Sequence, residues 1–170
     1  MSHRMFLHDF AYVDAPADEV CSRILEDHGA WLGPLATDAV GEGEALRIRI
    51  GPAGPIAGLS TAAIVELGPP RRRADNALVL PLTWRASDAD DAFPVLSADL
   101  EIAALGATRT QLTLMGRYDP PIGALGGRLD QLLFQRIAEA SVRSFLGRVA
   151  EALERPPGSA TSVGEAATGA

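Results

Sequence analysis

The sequence contains no lysine, and all 15 basic residues are arginine. A Schiff-base lysine is therefore excluded, and with it pyridoxal-phosphate chemistry and lysine aldolases. The Gly-Lys-Ser/Thr of a Walker-type phosphate loop is excluded as well. A single cysteine, Cys21, rules out an intrachain disulfide. The single asparagine, Asn76, precedes Ala77 and Leu78 and offers no glycosylation acceptor. No run of about 18 apolar residues is present, which predicts no membrane span. The opening MSHRMFLHDF lacks the long apolar run and small-residue step of a signal peptide. A cytoplasmic protein is the expectation.

What is present fits one globular unit. The chain has 170 residues, 47% of them in the set AVILMFWYC. A domain of about 150 residues buries roughly 70% of its unfolded surface, enough for a core without metal or disulfide. The apolar fraction excludes a disordered chain. Acids outnumber bases by 22 to 15, for a net charge of −7. That balance excludes nucleic-acid binding through bulk charge.

Periodicity orders the elements. Met5 to Val13 reads as a strand, with Phe6, His8, Phe10 and Tyr12 on one face and Leu7, Asp9 and Ala11 on the other. Pro16, Asp18 and Glu19 then suit the first turn of a helix. Val20, Cys21, Ile24 and Leu25 follow at helical spacing, and a second short helix around residues 30–35 carries Trp31. Strands are predicted at 37–40, around Leu46, Ile48 and Ile50, and at 59–67, 77–86, 96–104 and 109–118. Gly51 to Gly58 and the arginines Arg71 to Arg73 read as loops. The period returns to 3.6 over Arg128 to Leu153, with Leu129, Leu133, Phe134, Ile137, Ser141 and Phe145 on one apolar face. Pro156 and Pro157 stop this helix. Residues 1–155 are expected as a single domain and 156–170 as a disordered tail.

Consecutive strands on short turns pair antiparallel, and a half-buried sheet must cover its apolar face. Only the last helix is long enough to do so. An α+β fold follows: a curved antiparallel sheet of six to seven strands around a long C-terminal helix, with two short helices after the first strand.

At this point the chain resembles the START-like, or SRPBCC, superfamily with its helix-grip fold. The resemblance rests on the strand ending in Asp14-Ala15-Pro16, on Asp18-Glu19-Val20, on Trp31 and on the C-terminal helix, over residues 5 to 154. Cys21 stands where an aromatic residue is common. The resemblance implies a group that includes birch-pollen-allergen-like proteins, lipid-transfer domains and polyketide aromatases/cyclases. None of the shared motifs is catalytic, and the fold hosts many functions.

Candidate contacts for a small apolar ligand lie where sheet and helix face each other. They are His8, Phe10 and Tyr12 on the first strand and Leu82 and Trp84 on the strand at 77–86. Leu100, Leu112, Leu114 and Tyr118 come from the last two strands, and Phe134, Ile137 and Ser141 from the helix. His8, Tyr12 and Tyr118 are the candidate acid–base groups, each weighed against ordinary packing, and no catalytic set converges. Arg85 and Arg117 fall on the face opposite Trp84 and Tyr118. Ser141 has a back-bond to the preceding turn as its alternative role. Cys21 reads as a small buried hydrophobe. Three scattered histidines and one cysteine give no metal-ligand spacing, and neither metal nor cofactor is expected. The leading reading is a binding domain for a lipid, isoprenoid or polyketide-like molecule. The alternatives are an aromatase/cyclase-like enzyme and an interaction module without ligand.

Overall fold

The computed structural model describes residues 5–26, 31–32, 36–39, 45–50, 61–86, 95–119 and 128–156. Among these residues ten elements follow in order: β1 (Met5–Val13), α1 (Ala17–Glu26), β2 (Ala36–Ala39), β3 (Ala45–Ile50), β4 (Thr61–Leu67), β5 (Arg71–Arg72), β6 (Leu78–Ala86), β7 (Val95–Ala104), β8 (Thr110–Asp119) and α2 (Arg128–Glu154). The expected loop at 51–58 and all but Pro156 of the expected tail at 156–170 lie outside the described residues, as does most of the second short helix. Trp31 and Leu32 are described there, in a 3₁₀ turn.

All pairings are antiparallel, in the order β1-β8-β7-β6-β4-β3-β2. The first strand therefore pairs with the last. The arginine run is not wholly a loop. Arg71 and Arg72 form β5 against Val79 and Leu78, with both arginines exposed. Strand β6 thus changes partner along its length, from β5 at Leu78–Val79 to β4 at Leu82–Ala86. Pro81 sits at the changeover, where a residue without an N–H breaks no ladder.

The inner face of the sheet is continuous. It is built from Val65, Leu80, Leu82, Trp84, Leu96, Leu100, Leu112, Leu114 and Tyr118, all buried. The helix α2 lies against it with Val142, Phe145, Leu146, Val149 and Leu153 buried. Across the interior the Trp84 and Phe145 rings meet edge to face, 5.4 Å between centroids. On β7 and β8, Ala98 faces Gly116. A Cβ on Gly116 would lie 2.5 Å from Ala98 Cβ and 2.8 Å from the Ser97 carbonyl oxygen, so only glycine fits.

The short helix closes one end. Asp18 and Glu19 occupy the first turn of α1, and Val20, Cys21 and Ile24 are buried. Burial pushes the Cys21 thiol up, as expected of a small core residue. The last turn of α2 contains no basic residue. Arg23 of α1 supplies one from outside, donating to the carbonyls of Leu153 and, at 3.2 Å, Ala152. It satisfies orphan carbonyls and places positive charge at the negative end of the helix dipole. Thr110, fully buried, donates to the Ala15 carbonyl at 2.8 Å and fixes the entry to α1.

Candidate functional site

The strands put two predicted contacts on the inner face at β6 and β8. Trp84 and Tyr118 are 3% and 1% exposed. Leu82, Leu100, Leu112 and Leu114 join them, as alternation requires. Arg85 and Arg117 are exposed on the outer face, also as expected.

The first strand corrects one expectation. Its alternation holds, but its faces are reversed. Leu7 and Val13 are buried, whereas Phe6, Phe10 and Tyr12 are 65%, 48% and 45% exposed. His8 is exposed with them. Phe10 and Tyr12 therefore stand on the outer side of the sheet, away from α2. The reason is space: α2 packs closely on β1. Only the smaller inner side chains of Asp9, Ala11 and their neighbours fit beneath it. Phe10 and Tyr12 instead lie against each other, 5.5 Å between centroids, with the Arg109 guanidinium 5.7 Å over the Tyr12 ring.

On the helix, Ser141 is buried and donates to the Ile137 carbonyl at 2.7 Å, so its hydroxyl is taken by the back-bond. Ile137 is half-buried, and the Phe134 side chain lies outside the described residues.

A cleft of about 330 Å³ opens between β1 and α2. Leu7 and Val142 form its apolar wall, with Phe6, His8, Asp9, Glu139 and Arg143 around it. The Asp9 carboxylate spans its two sides. One oxygen accepts from the Phe10 backbone N–H at 2.9 Å and the other from Arg143 Nε at 3.1 Å. This is an inward-pointing charge on an edge strand, tied to the covering helix. Nothing in the sequence pattern announces this cleft, because it depends on where α2 crosses β1.

Tyr118 lies at the same end of the interior. Its register partner is Met5, the residue before Phe6 of the cleft. The phenol donates to Met5 Sδ at 2.8 Å, a weak acceptor. Burial pushes its pKa up to about 12, and the Glu139 carboxylate adds to that. The phenol is thus a neutral, buried donor with a poorly matched partner. The indole N–H of Trp31, also buried, has no acceptor among the described residues. Among those residues, no three His, Cys, Asp or Glu side chains are placed to hold a metal ion.

This arrangement, a curled antiparallel sheet gripping a long C-terminal helix, is shared with solved structures. The Zhui aromatase/cyclase from Streptomyces sp. R1128 matches with a TM-score of 0.57 and 21% identity, over 90% of this chain and 95% of that one. The chain has the helix-grip fold. The structure of TTHA0849 from Thermus thermophilus matches with a TM-score of 0.56 and 21% identity, over 88% and 97% of the two chains. A point mutant of norcoclaurine synthase from Thalictrum flavum, in complex with a transition-state analogue, matches at 0.53 and 11% identity, over 90% and 96%. At these identities the helix-grip likeness is one of fold. No protein-family model matches the chain, nor does any curated protein sequence. Among the described residues no helix is long and apolar enough to cross a membrane.

Proposed function

We propose that this helix-grip chain binds a small apolar molecule bearing a carbonyl or hydroxyl oxygen, of polyketide type, at the Tyr118 end of its interior. The ligand enters through the cleft between β1 and α2. The observation that carries this reading is the Tyr118 phenol, buried, held neutral and, among the described residues, hydrogen-bonded only to a thioether. A ligand oxygen replacing the Met5 sulfur gains a stronger hydrogen bond in a low-dielectric setting. Leu7, Val142 and the ring pair Trp84–Phe145 supply the apolar surroundings.

A second reading is supported by the likeness to an aromatase/cyclase: the chain promotes ring closure of the bound molecule. Tyr118 then donates to the carbonyl oxygen that gains negative charge as a neighbouring carbon loses its proton. His8 shares the outer face with Tyr12 but, unlike it, borders the cleft, and is the proton acceptor in this reading. Tyr12, on the outer face, has no part in it.

Titration with 1,8-dihydroxyanthraquinone, followed by tryptophan fluorescence, tests the binding site. Loss of one neutral hydrogen bond in Tyr118→Phe weakens affinity by up to about tenfold. Equal affinity of the two proteins sinks the assignment. Native mass spectrometry of protein from its own host, with organic extraction, identifies the ligand class. Ring formation from a linear poly-β-ketone thioester, lost in His8→Ala, separates catalysis from binding. Turnover unchanged in that variant removes His8 from the mechanism.

A further inference from the structure

Among the described residues sulfur is carried by Cys21, Met5 and Met115. They differ in reach and in partner. Cys21 is buried, and burial pushes its thiol up, so at neutral pH it is neither accessible nor a thiolate. Met115 is exposed on β8, opposite the exposed His8 of β1, on the outer face of the sheet. Met5 is half-buried against the core, at the first residue of the edge strand β1. It precedes Phe6, which lines the cleft beneath α2. Its Sδ accepts a hydrogen bond from the Tyr118 phenol at 2.8 Å.

We infer that Met5 is a modification site: hydrogen peroxide converts its thioether to the sulfoxide, whose oxygen takes the Tyr118 phenol and closes it to ligand. The closing of the site rests on the binding role proposed for Tyr118; the capture of the phenol does not. In the step, a sulfur lone pair attacks one peroxide oxygen. The O–O bond breaks, the proton on the transferred oxygen passes to the departing hydroxide, and water leaves. Sulfur is oxidised and peroxide is reduced.

The surroundings of Met5 favour both the reaction and its consequence. Its partial exposure admits an oxidant as small as hydrogen peroxide. The product is better matched to its neighbour than the reactant is. Thioether sulfur is a weak acceptor, whereas a sulfoxide is polar and its oxygen a stronger one. The phenol, with its pKa pushed up to about 12, stays protonated and available as donor. The new oxygen needs room between sulfur and phenol. The methionine side chain is unbranched and flexible, so the sulfur draws back to make it. Before oxidation a ligand oxygen has only a thioether to displace. Afterwards it must displace an oxygen acceptor like itself, and the gain on binding is lost. At Met115 the same oxidation places an oxygen at the outer surface and changes no interior hydrogen bond.

Treatment of the full chain with hydrogen peroxide, followed by peptide mass mapping, reads the oxidation residue by residue. Met5 and Met115 should each gain an oxygen. Once the peroxide is removed, the oxidised wild type should bind 1,8-dihydroxyanthraquinone about tenfold more weakly, and oxidised Met115→Leu should lose as much. Met5→Leu should bind with an affinity that peroxide does not change. Methionine sulfoxide reductases should restore the wild type. A ligand-free measurement is independent of the binding role. In Tyr118→Phe the sulfoxide has no phenol to accept from. Peroxide should therefore lower the melting temperature of that variant by roughly 2–10 °C more than that of the wild type. A Met5 that stays a thioether while Met115 is fully oxidised overturns the inference. So does an equal melting shift in the two proteins, or a peroxide-dependent loss of affinity that persists in Met5→Leu. Unchanged affinity of the oxidised wild type, where Tyr118→Phe does weaken binding, overturns it as well. If the melting shifts differ while neither oxidation nor Tyr118→Phe alters binding, the modification site stands and the binding role of Tyr118 falls.

Discussion

Strands β1 and β6 turn opposite kinds of residue toward the helix. On β6 the large members, Leu78, Leu80, Leu82 and Trp84, are buried. On β1 the large members, Phe6, Phe10 and Tyr12, are exposed, and the inner positions hold Leu7, Asp9, Ala11 and Val13. The difference follows the distance to α2. The helix packs closely on β1 and stands further from β6, where Trp84 and Phe145 fill the gap. Alternation therefore defines two faces, while the room beneath the helix selects the one that is buried. The same proximity creates the Asp9–Arg143 bridge and the cleft beside it.

Substitutions can break or sharpen this contrast. The largest effect is expected at the inner face, where Phe145→Ala removes the ring against Trp84. A cost of about 3–5 kcal/mol, or a melting temperature lower by roughly 6–20 °C, is expected in thermal unfolding. Next comes Gly116→Ala, whose methyl meets Ala98 and the Ser97 carbonyl. Overpacking there should cost about 1–3 kcal/mol in urea unfolding, and a neutral result would show that the two strands move apart without penalty.

Tyr118 gives a pH test of inner-face burial. Its pKa is raised in the folded chain to about 12, against about 10 for a free tyrosine. The unfolded chain therefore loses this proton first as pH rises. The stability that the neutral phenol supports is complete below pH about 10 and declines between about 10 and 12. Stability measured against pH should flatten in that window in Tyr118→Phe, and an unchanged slope would refute the assignment. The smallest effect is expected on the outer side of β1. Phe10→Ala should change unfolding free energy by no more than about 0.5 kcal/mol. A loss comparable with that of Phe145→Ala would reverse the face assignment of β1.

Much of the architecture is legible in the sequence. The long apolar stripe from Arg128 onward has only one way to be covered, and the six turn-linked strand patterns have only one kind of sheet to form. The two-residue strand β5 is not legible, since Arg71 and Arg72 are exposed and have no pattern of their own. They are strand because β6 offers them a free edge beyond the reach of β4. Of the candidate site, Trp84 and Tyr118 are legible because β6 and β8 lie within the sheet, where burial and alternation agree. Phe10 and Tyr12 mislead, because aromatic character points to burial and an edge strand under a close helix has no room for it. The Tyr118–Met5 contact joins residues 113 positions apart, and no local pattern encodes it.

The sequence by itself determined the order of the longer elements, their periods, the antiparallel pairing and the absence of lysine chemistry. These depend on local spacing and on residue type, which are properties of the chain alone. Tertiary structure alone decided which face of β1 is wet, where the cleft opens, and that Arg23 of one helix completes the end of another. Each of those depends on how closely α2 approaches the sheet, a distance set by all the packed side chains together.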